Sequence, residues 1–178
     1  MSEITKAISV LNNAVVNGTI CPNEGLTEEL FLLVSSLVPI VNIDLFVTNN
    51  NHELLLAWRS DLHHGSGWHI PGGCVRMKET LKERVERTSL NELGTIVEYN
   101  SKPILVQEDI NHVYRPGLYN QLERAHGISF LYDCKFPDDY CVPEQYNGSV
   151  LKWFDRCPEN LLEVHKRLYS SYIEQWFS

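Results

Sequence analysis

Positive charge is scarce in this chain: 15 Lys and Arg stand against 23 Asp and Glu, giving a net charge of −8 and a pI near 5.3. No block of basic residues is present to neutralise a phosphate backbone, so nucleic acid is not an expected partner. Paired cysteine spacing is also missing. The five cysteines (Cys21, Cys74, Cys134, Cys141 and Cys157) form no C-x2-C motif and are odd in number, which argues against a disulfide framework or a zinc site. The opening MSEITKAISVLNNAVV lacks a basic start and a clean apolar core, so a secretory leader is not expected. No apolar run approaches bilayer-spanning length. These absences together describe a cytoplasmic protein with reduced thiols and no membrane partner. Repeats, low-complexity tracts and an interdomain linker are absent too.

What is present suits one domain with a substantial core: 178 residues, 43% of them hydrophobic. Ile4, Ala7, Ile8, Leu11, Ala14 and Val15 recur at helical spacing, and Asn17-Gly18 closes that segment. Thr27 opens a second helix that Pro39 stops. Val41, Ile43, Leu45 and Val47 alternate as a strand, Asn49–Asn51 turns the chain, and Glu53 to Trp58 returns it. The polar stretch from Asp61 to Gly67 reads as a loop and Thr80 to Leu93 as a helix. Ile96 to Glu108 is mostly strand, and His112 to His126 a long polar loop. Strands follow at Ile128–Phe136 and Val150–Phe154, and a final helix runs from Pro158 through Gln175. The expected fold class is α+β, a mixed β-sheet sandwiched between helices. A helical extension over residues 1–25 precedes a domain over residues 26–178.

The most informative stretch begins at Gly72-Gly73. An acid, Glu79, lies six residues beyond Gly73; Arg87 follows eight later, and Glu92-Leu-Gly94 ends the segment. Loop, helix, loop is the implied geometry, and such an element can hold a divalent cation against a diphosphate. Glu79, Glu83 and Arg87 stand at i, i+4 and i+8, so Arg87 is expected to pair with Glu79 and brace the loop. Taken singly, Glu83 and Arg87 would read only as a solvated pair.

The whole layout resembles the Nudix box, G-x5-E-x7-R-E-U-x-E-E-x-G-U, with Thr88, Asn91 and Thr95 in place of two acids and the last aliphatic. The pattern of departures is similar to the GDP-mannose mannosyl hydrolase branch, which also retains only the last acid, here Glu92. That resemblance runs from about Leu26 to Phe154. It includes Pro39–Asp44, Leu54–Arg59, the Gly67-Trp-His-Ile-Pro-Gly-Gly73 approach, and Pro143-Glu-Gln145 followed by Leu151–Phe154.

The resemblance implies hydrolysis of a nucleotide sugar, most simply GDP-mannose to GDP and mannose, by substitution at the anomeric carbon. Mg²⁺ (or Mn²⁺) would be held by the Gly72 carbonyl, Glu92 and Gln145. Arg59 would stabilise the departing diphosphate, and Asp44 would support the base or the sugar site. A homodimer is likewise implied. Two positions depart from the branch. Tyr146 stands where the branch carries its histidine base, and an unperturbed phenol is only about 0.1% ionised at pH 7. Cys74 replaces an arginine that would touch substrate. His112 and His126 are the first substitutes for the base, with Glu144 third. His63, His64 and His69 read as a polar loop beside the substrate mouth. P–O–P cleavage and a non-catalytic nucleotide-sugar-binding module are the alternative readings.

Overall fold

The computed structural model describes residues 2–61, 65–111 and 126–178. The chain opens with α1 (Glu3–Val16) and α2 (Glu28–Ser35), followed by β1 (Ile40–Val47) and β2 (Leu54–Asp61). Then come β3 (Gly65–His69), β4 (Gly72–Cys74) and α3 (Leu81–Leu93). The remainder is β5 (Glu98–Tyr99), β6 (Leu105–Ile110), β7 (His126–Lys135), β8 (Gln145–Tyr146), β9 (Ser149–Phe154) and α4 (Glu163–Phe177).

The strands form two sheets. In the first, β1 lies between β4 and β7, parallel to β7 and antiparallel to β4, while β5 and β6 share the far edge of β7. The second runs β3-β2-β9-β8, each neighbour antiparallel. The central strands are covered on both faces, which is why they read as nearly continuous apolar runs. Alternate residues of one strand feed opposite cores. Ile43, Leu45 and Val47 of β1 join Leu55 and Ala57 of β2 and Val85 and Leu93 of α3. Phe46, Leu54 and Leu56 face the other way, onto Leu168, Tyr169 and Ile173 of α4. The α+β sandwich between helices is therefore the observed architecture.

Three expected boundaries move. The segment 61–67 is not a continuous loop, because β3 starts at Gly65 and pairs residue for residue with β2. The strand expected over 96–108 is two short strands separated by a turn, because β5 and β6 bond successive stretches of the same edge of β7. The last helix begins at Glu163, not Pro158; before it the chain bridges β3, with the Trp68 N–H donating to the Asn160 carbonyl at 2.9 Å and the Leu162 N–H to the Trp68 carbonyl at 2.8 Å. Among the described residues no helix is long and apolar enough to cross a membrane.

α1 is capped by Ser2, whose hydroxyl accepts from the Thr5 N–H, and it buries no side chain. Ile4 is 73% exposed and Val16 86%. The connection to α2 lies against the box: Arg87 reaches the Asn23 carbonyl, and the Arg76 guanidinium lies beside Gly25.

Candidate functional site

β4 and α3 carry the centre of the site. Thr80 caps α3 by accepting from the Glu83 N–H, and the Glu83 carboxylate accepts the Thr80 N–H at 2.7 Å, a reciprocal capping box. Glu83 is thus spent on the helix start. Gly94 ends the helix at φ 79, and a Cβ there would strike the Tyr146 ring, so both conformation and space require glycine.

The expected brace is present and larger than the sequence indicated. Glu79 Oε1 faces Arg87 Nε at 3.3 Å, but Arg87 is 43% exposed. The dominant partner is Arg84, which bonds Glu79 Oε2 at 2.7 Å with both groups 5% exposed. The same oxygen accepts the Arg76 N–H at 2.8 Å, fixing the turn into the helix. Arg84 had no motif to mark it; its position five residues after Glu79 is where one helical turn brings it back under the loop.

Gly72 pairs with Asp44 across the β1–β4 ladder, and a Cβ on Gly72 would collide with the Asp44 carboxylate. Asp44 is 6% exposed and its Oδ2 accepts the Tyr169 hydroxyl at 2.5 Å. Burial, with the adjacent Asp44 charge, pushes the Tyr169 phenol far above its ordinary pKa, so it stays protonated and donates to Asp44. Cys74 donates its thiol hydrogen to Asn42 Oδ1 at 3.2 Å.

Two cavities meet at Gly72, Gly73 and Cys74. The smaller, about 200 Å³, is polar: Asp44, Arg59, His69, Asp109, His165 and Arg167 line it. Arg167 of α4 holds Asp109 of β6 through two bonds at 2.8 and 2.9 Å. His165 Nδ1 accepts the Ile70 N–H at 3.4 Å, which leaves the imidazole proton on Nε2. The larger cavity, about 900 Å³, lies between α1, α2 and the β4–α3 face and contains Glu92, Thr88 and Asn91.

Glu92 belongs to both environments electrically. Burial raises its carboxyl above the ordinary range, while the Arg59 guanidinium opposes that shift. Among the described residues no hydrogen bond or ion pair fixes this carboxylate. A desolvated carboxylate beside a glycine turn suits a divalent cation, which would supply the missing positive charge. No three His, Cys, Asp or Glu side chains among the described residues form a metal site by themselves. Mg²⁺ fits that limit, since it accepts one or two carboxylates together with phosphate oxygens and water.

The other anticipated residues are dispersed. Gln145 is exposed at the start of β8 and lines neither cavity, but its hairpin is fastened to the last turn of α3. Asn147 Nδ2 donates to the Asn91 carbonyl at 3.2 Å, and the Tyr140 hydroxyl donates to the Leu93 carbonyl at 2.7 Å. Tyr146 packs beside Gly94 and against the α3-side core instead of lining either cavity. His126 bonds Glu108 at 2.8 Å on the β6–β7 edge. His112, His63 and His64 lie outside the described residues. His69 is not in a polar loop: it is 2% exposed in β3 and faces the polar cavity. Sequence reasoning did not find His165, Arg167 or Tyr169, which sit on an ordinary amphipathic stripe of α4.

Residues 38–165 match the NUDIX domain, and the chain belongs to that family, which supports hydrolase activity. It is 25% identical to the low-salt glycan biosynthesis protein Agl8 of Haloferax volcanii over 142 residues, spanning 79% of this chain and 86% of that one. The fold is similar to the MutT NUDIX hydrolase of Burkholderia pseudomallei, with a TM-score of 0.57, 21% identity, and coverage of 73% and 95% of the two chains. It is also similar to the MutT protein of Methanosarcina mazei Go1, with a TM-score of 0.54, 21% identity, and coverage of 78% and 91%.

Proposed function

We propose that the protein hydrolyses a nucleoside diphosphate sugar with Mg²⁺, by substitution at the anomeric carbon. The observation that carries this reading is the convergence of Arg59, Asp44 and Gly72 on one polar cavity, with Glu92 on the other side of the same glycine turn. The box offers a single uncommitted acid: Glu79 is held by arginines, Glu83 caps the helix, Glu86 pairs with Lys82 and Tyr99, and Thr88 and Asn91 are uncharged. One carboxylate suits one metal and a leaving diphosphate better than the several metals that favour attack at phosphorus. The likeness to a protein named for glycan biosynthesis agrees with a sugar-bearing substrate.

In this reading a water oxygen bonds to the anomeric carbon, and the bond from that carbon to the β-phosphate oxygen breaks with its electron pair. Nucleoside diphosphate and the free sugar result. Arg59 offsets the charge that appears on the leaving oxygen. Glu92, the Gly72 carbonyl and Gln145 would hold Mg²⁺, which supplies further charge neutralisation when bound. Asp44, locked by Tyr169, accepts from a sugar hydroxyl or from the attacking water. His165 presents Nε2–H as a donor, and His69 is a second imidazole lining the same cavity. Of the other candidate bases, Tyr146 packs beside Gly94, His126 bonds Glu108, and His112 lies outside the described residues.

³¹P and ¹H NMR of the protein with GDP-mannose and Mg²⁺ tests the proposal. GDP plus mannose, appearing first as the inverted β anomer, is expected. GMP plus mannose 1-phosphate would move the activity to P–O–P cleavage. Saturable binding with no turnover would make the chain a binding module.

A further inference from the structure

The N-terminal helices wall a space of which the proposed chemistry uses only the edge at Gly72 and Glu92. Pockets that take drug-sized ligands measure about 300–1,000 Å³. The polar cavity, at about 200 Å³, is too small for a whole nucleotide sugar, whereas the neighbouring cavity of about 900 Å³ is large enough for its remainder. Their walls differ in kind. In the small one Asp44, Arg59, Asp109 and Arg167 stand beside Ile70, Val164 and Leu168, so hydroxyls and the C–H face of a sugar ring both find partners. In the large one Leu11 and Val15 of α1 and Leu30, Phe31 and Val34 of α2 form an apolar wall. Arg76 and Lys78 add positive charge along the floor, and Asn12 and Asn91 supply amides able to read polar edges.

An unfilled apolar wall of this size is costly unless something covers it. Ile4, Ile8, Leu11 and Val15 form one stripe of α1, and the helix buries none of them. Leu11 and Val15 are the members of that stripe that face the cavity. A heterocyclic base has two apolar faces and a polar edge, which matches an aliphatic and aromatic wall carrying amides. An elongated aliphatic chain would have no use for Asn12 and Asn91.

We infer that the cavity beneath α1 and α2 is the nucleoside subsite, so that the N-terminal helices form part of the substrate-binding wall. This rests on the nucleoside diphosphate sugar reading. The diphosphate would cross the Gly72–Cys74 turn, with the sugar in the polar cavity and the base under α1. Phe31 offers the aromatic face, and Val15 limits the depth.

Calorimetric binding of GDP and of inorganic pyrophosphate, each with Mg²⁺, tests this on the full chain. Val15→Trp fills the cavity from a helix that contributes nothing to the core, and Ile4→Trp adds the same bulk to α1 away from it. Val15→Trp should weaken GDP by about tenfold or more, leave pyrophosphate within about twofold, and Ile4→Trp should change neither. Hydrogen exchange provides a second readout: GDP, but not pyrophosphate, should slow exchange of the α1 amides of the unmodified protein. Unchanged GDP affinity in Val15→Trp, or equal weakening of both ligands, would overturn the subsite while leaving the hydrolase reading intact. Failure of GDP to bind the unmodified protein at all would overturn both.

Discussion

α4 and α1 are amphipathic helices of similar length at opposite ends of the chain, and they are used in opposite ways. α4 buries His165, Leu168, Tyr169 and Ile173, and the same face supplies Tyr169 to Asp44 and His165 to the polar cavity. α1 buries nothing and turns Leu11 and Val15 to a space of about 900 Å³. The difference lies in when each apolar face is covered. On α4 it is covered by folding, so the polar cavity is preformed and its groups are fixed by the core. On α1 it is left for a ligand, so that wall gains its packing on binding.

The contrast can be broken most severely at Tyr169. Tyr169→Ala should cost about 3–5 kcal/mol in urea unfolding, because it empties a core position and removes one donor from a buried carboxylate. If that loss were as small as for an α1 residue, α4 would not be a core element.

Glu92→Gln keeps the shape but removes the charge. It should lower kcat by about 10²–10³-fold, roughly 3–4 kcal/mol of barrier, and abolish any rise in Tm produced by Mg²⁺. A Mg²⁺-dependent Tm shift that survived the change would place the metal elsewhere.

Tyr169→Phe retains the ring and deletes only the hydroxyl. A stability loss of about 1–3 kcal/mol is expected, from loss of the buried hydroxyl–carboxylate bond. Loss of activity should exceed the loss of affinity, visible as a fall in kcat with KM nearly kept. At the other extreme, Ile8→Ala on the exposed face of α1 should change stability by no more than about 0.5 kcal/mol. A larger effect would mean that α1 is held by packing instead of waiting for it.

The sequence revealed what is local. The Glu79–Arg87 pair, the Gly94 exit and the shared face of Ile43, Leu45 and Val47 in β1 follow from local spacing, and each lies where spacing puts it. Contacts made across the fold were hidden. Tyr169 meets Asp44 from 125 residues away, and its place on an apolar stripe gives no hint that its hydroxyl faces a carboxylate. His69 was obscured by its neighbours: adjacent histidines and glycines suggested a loop, whereas pairing with β2 draws it into a strand and buries it. Arg84 was passed over because the box motif singles out Arg87, while burial selects Arg84 as the stronger partner of Glu79. Of the proposed metal set, Gly72 and Glu92 line one cavity and Gln145 lines neither, although its hairpin is bonded to the end of α3.

The most direct test of the central claim is hydrolysis of GDP-mannose in ¹⁸O-labelled water, with mass analysis of both products. Attack at the anomeric carbon predicts one label in the free mannose and none in GDP. Label in a phosphate group, with mannose 1-phosphate as a product, would contradict it.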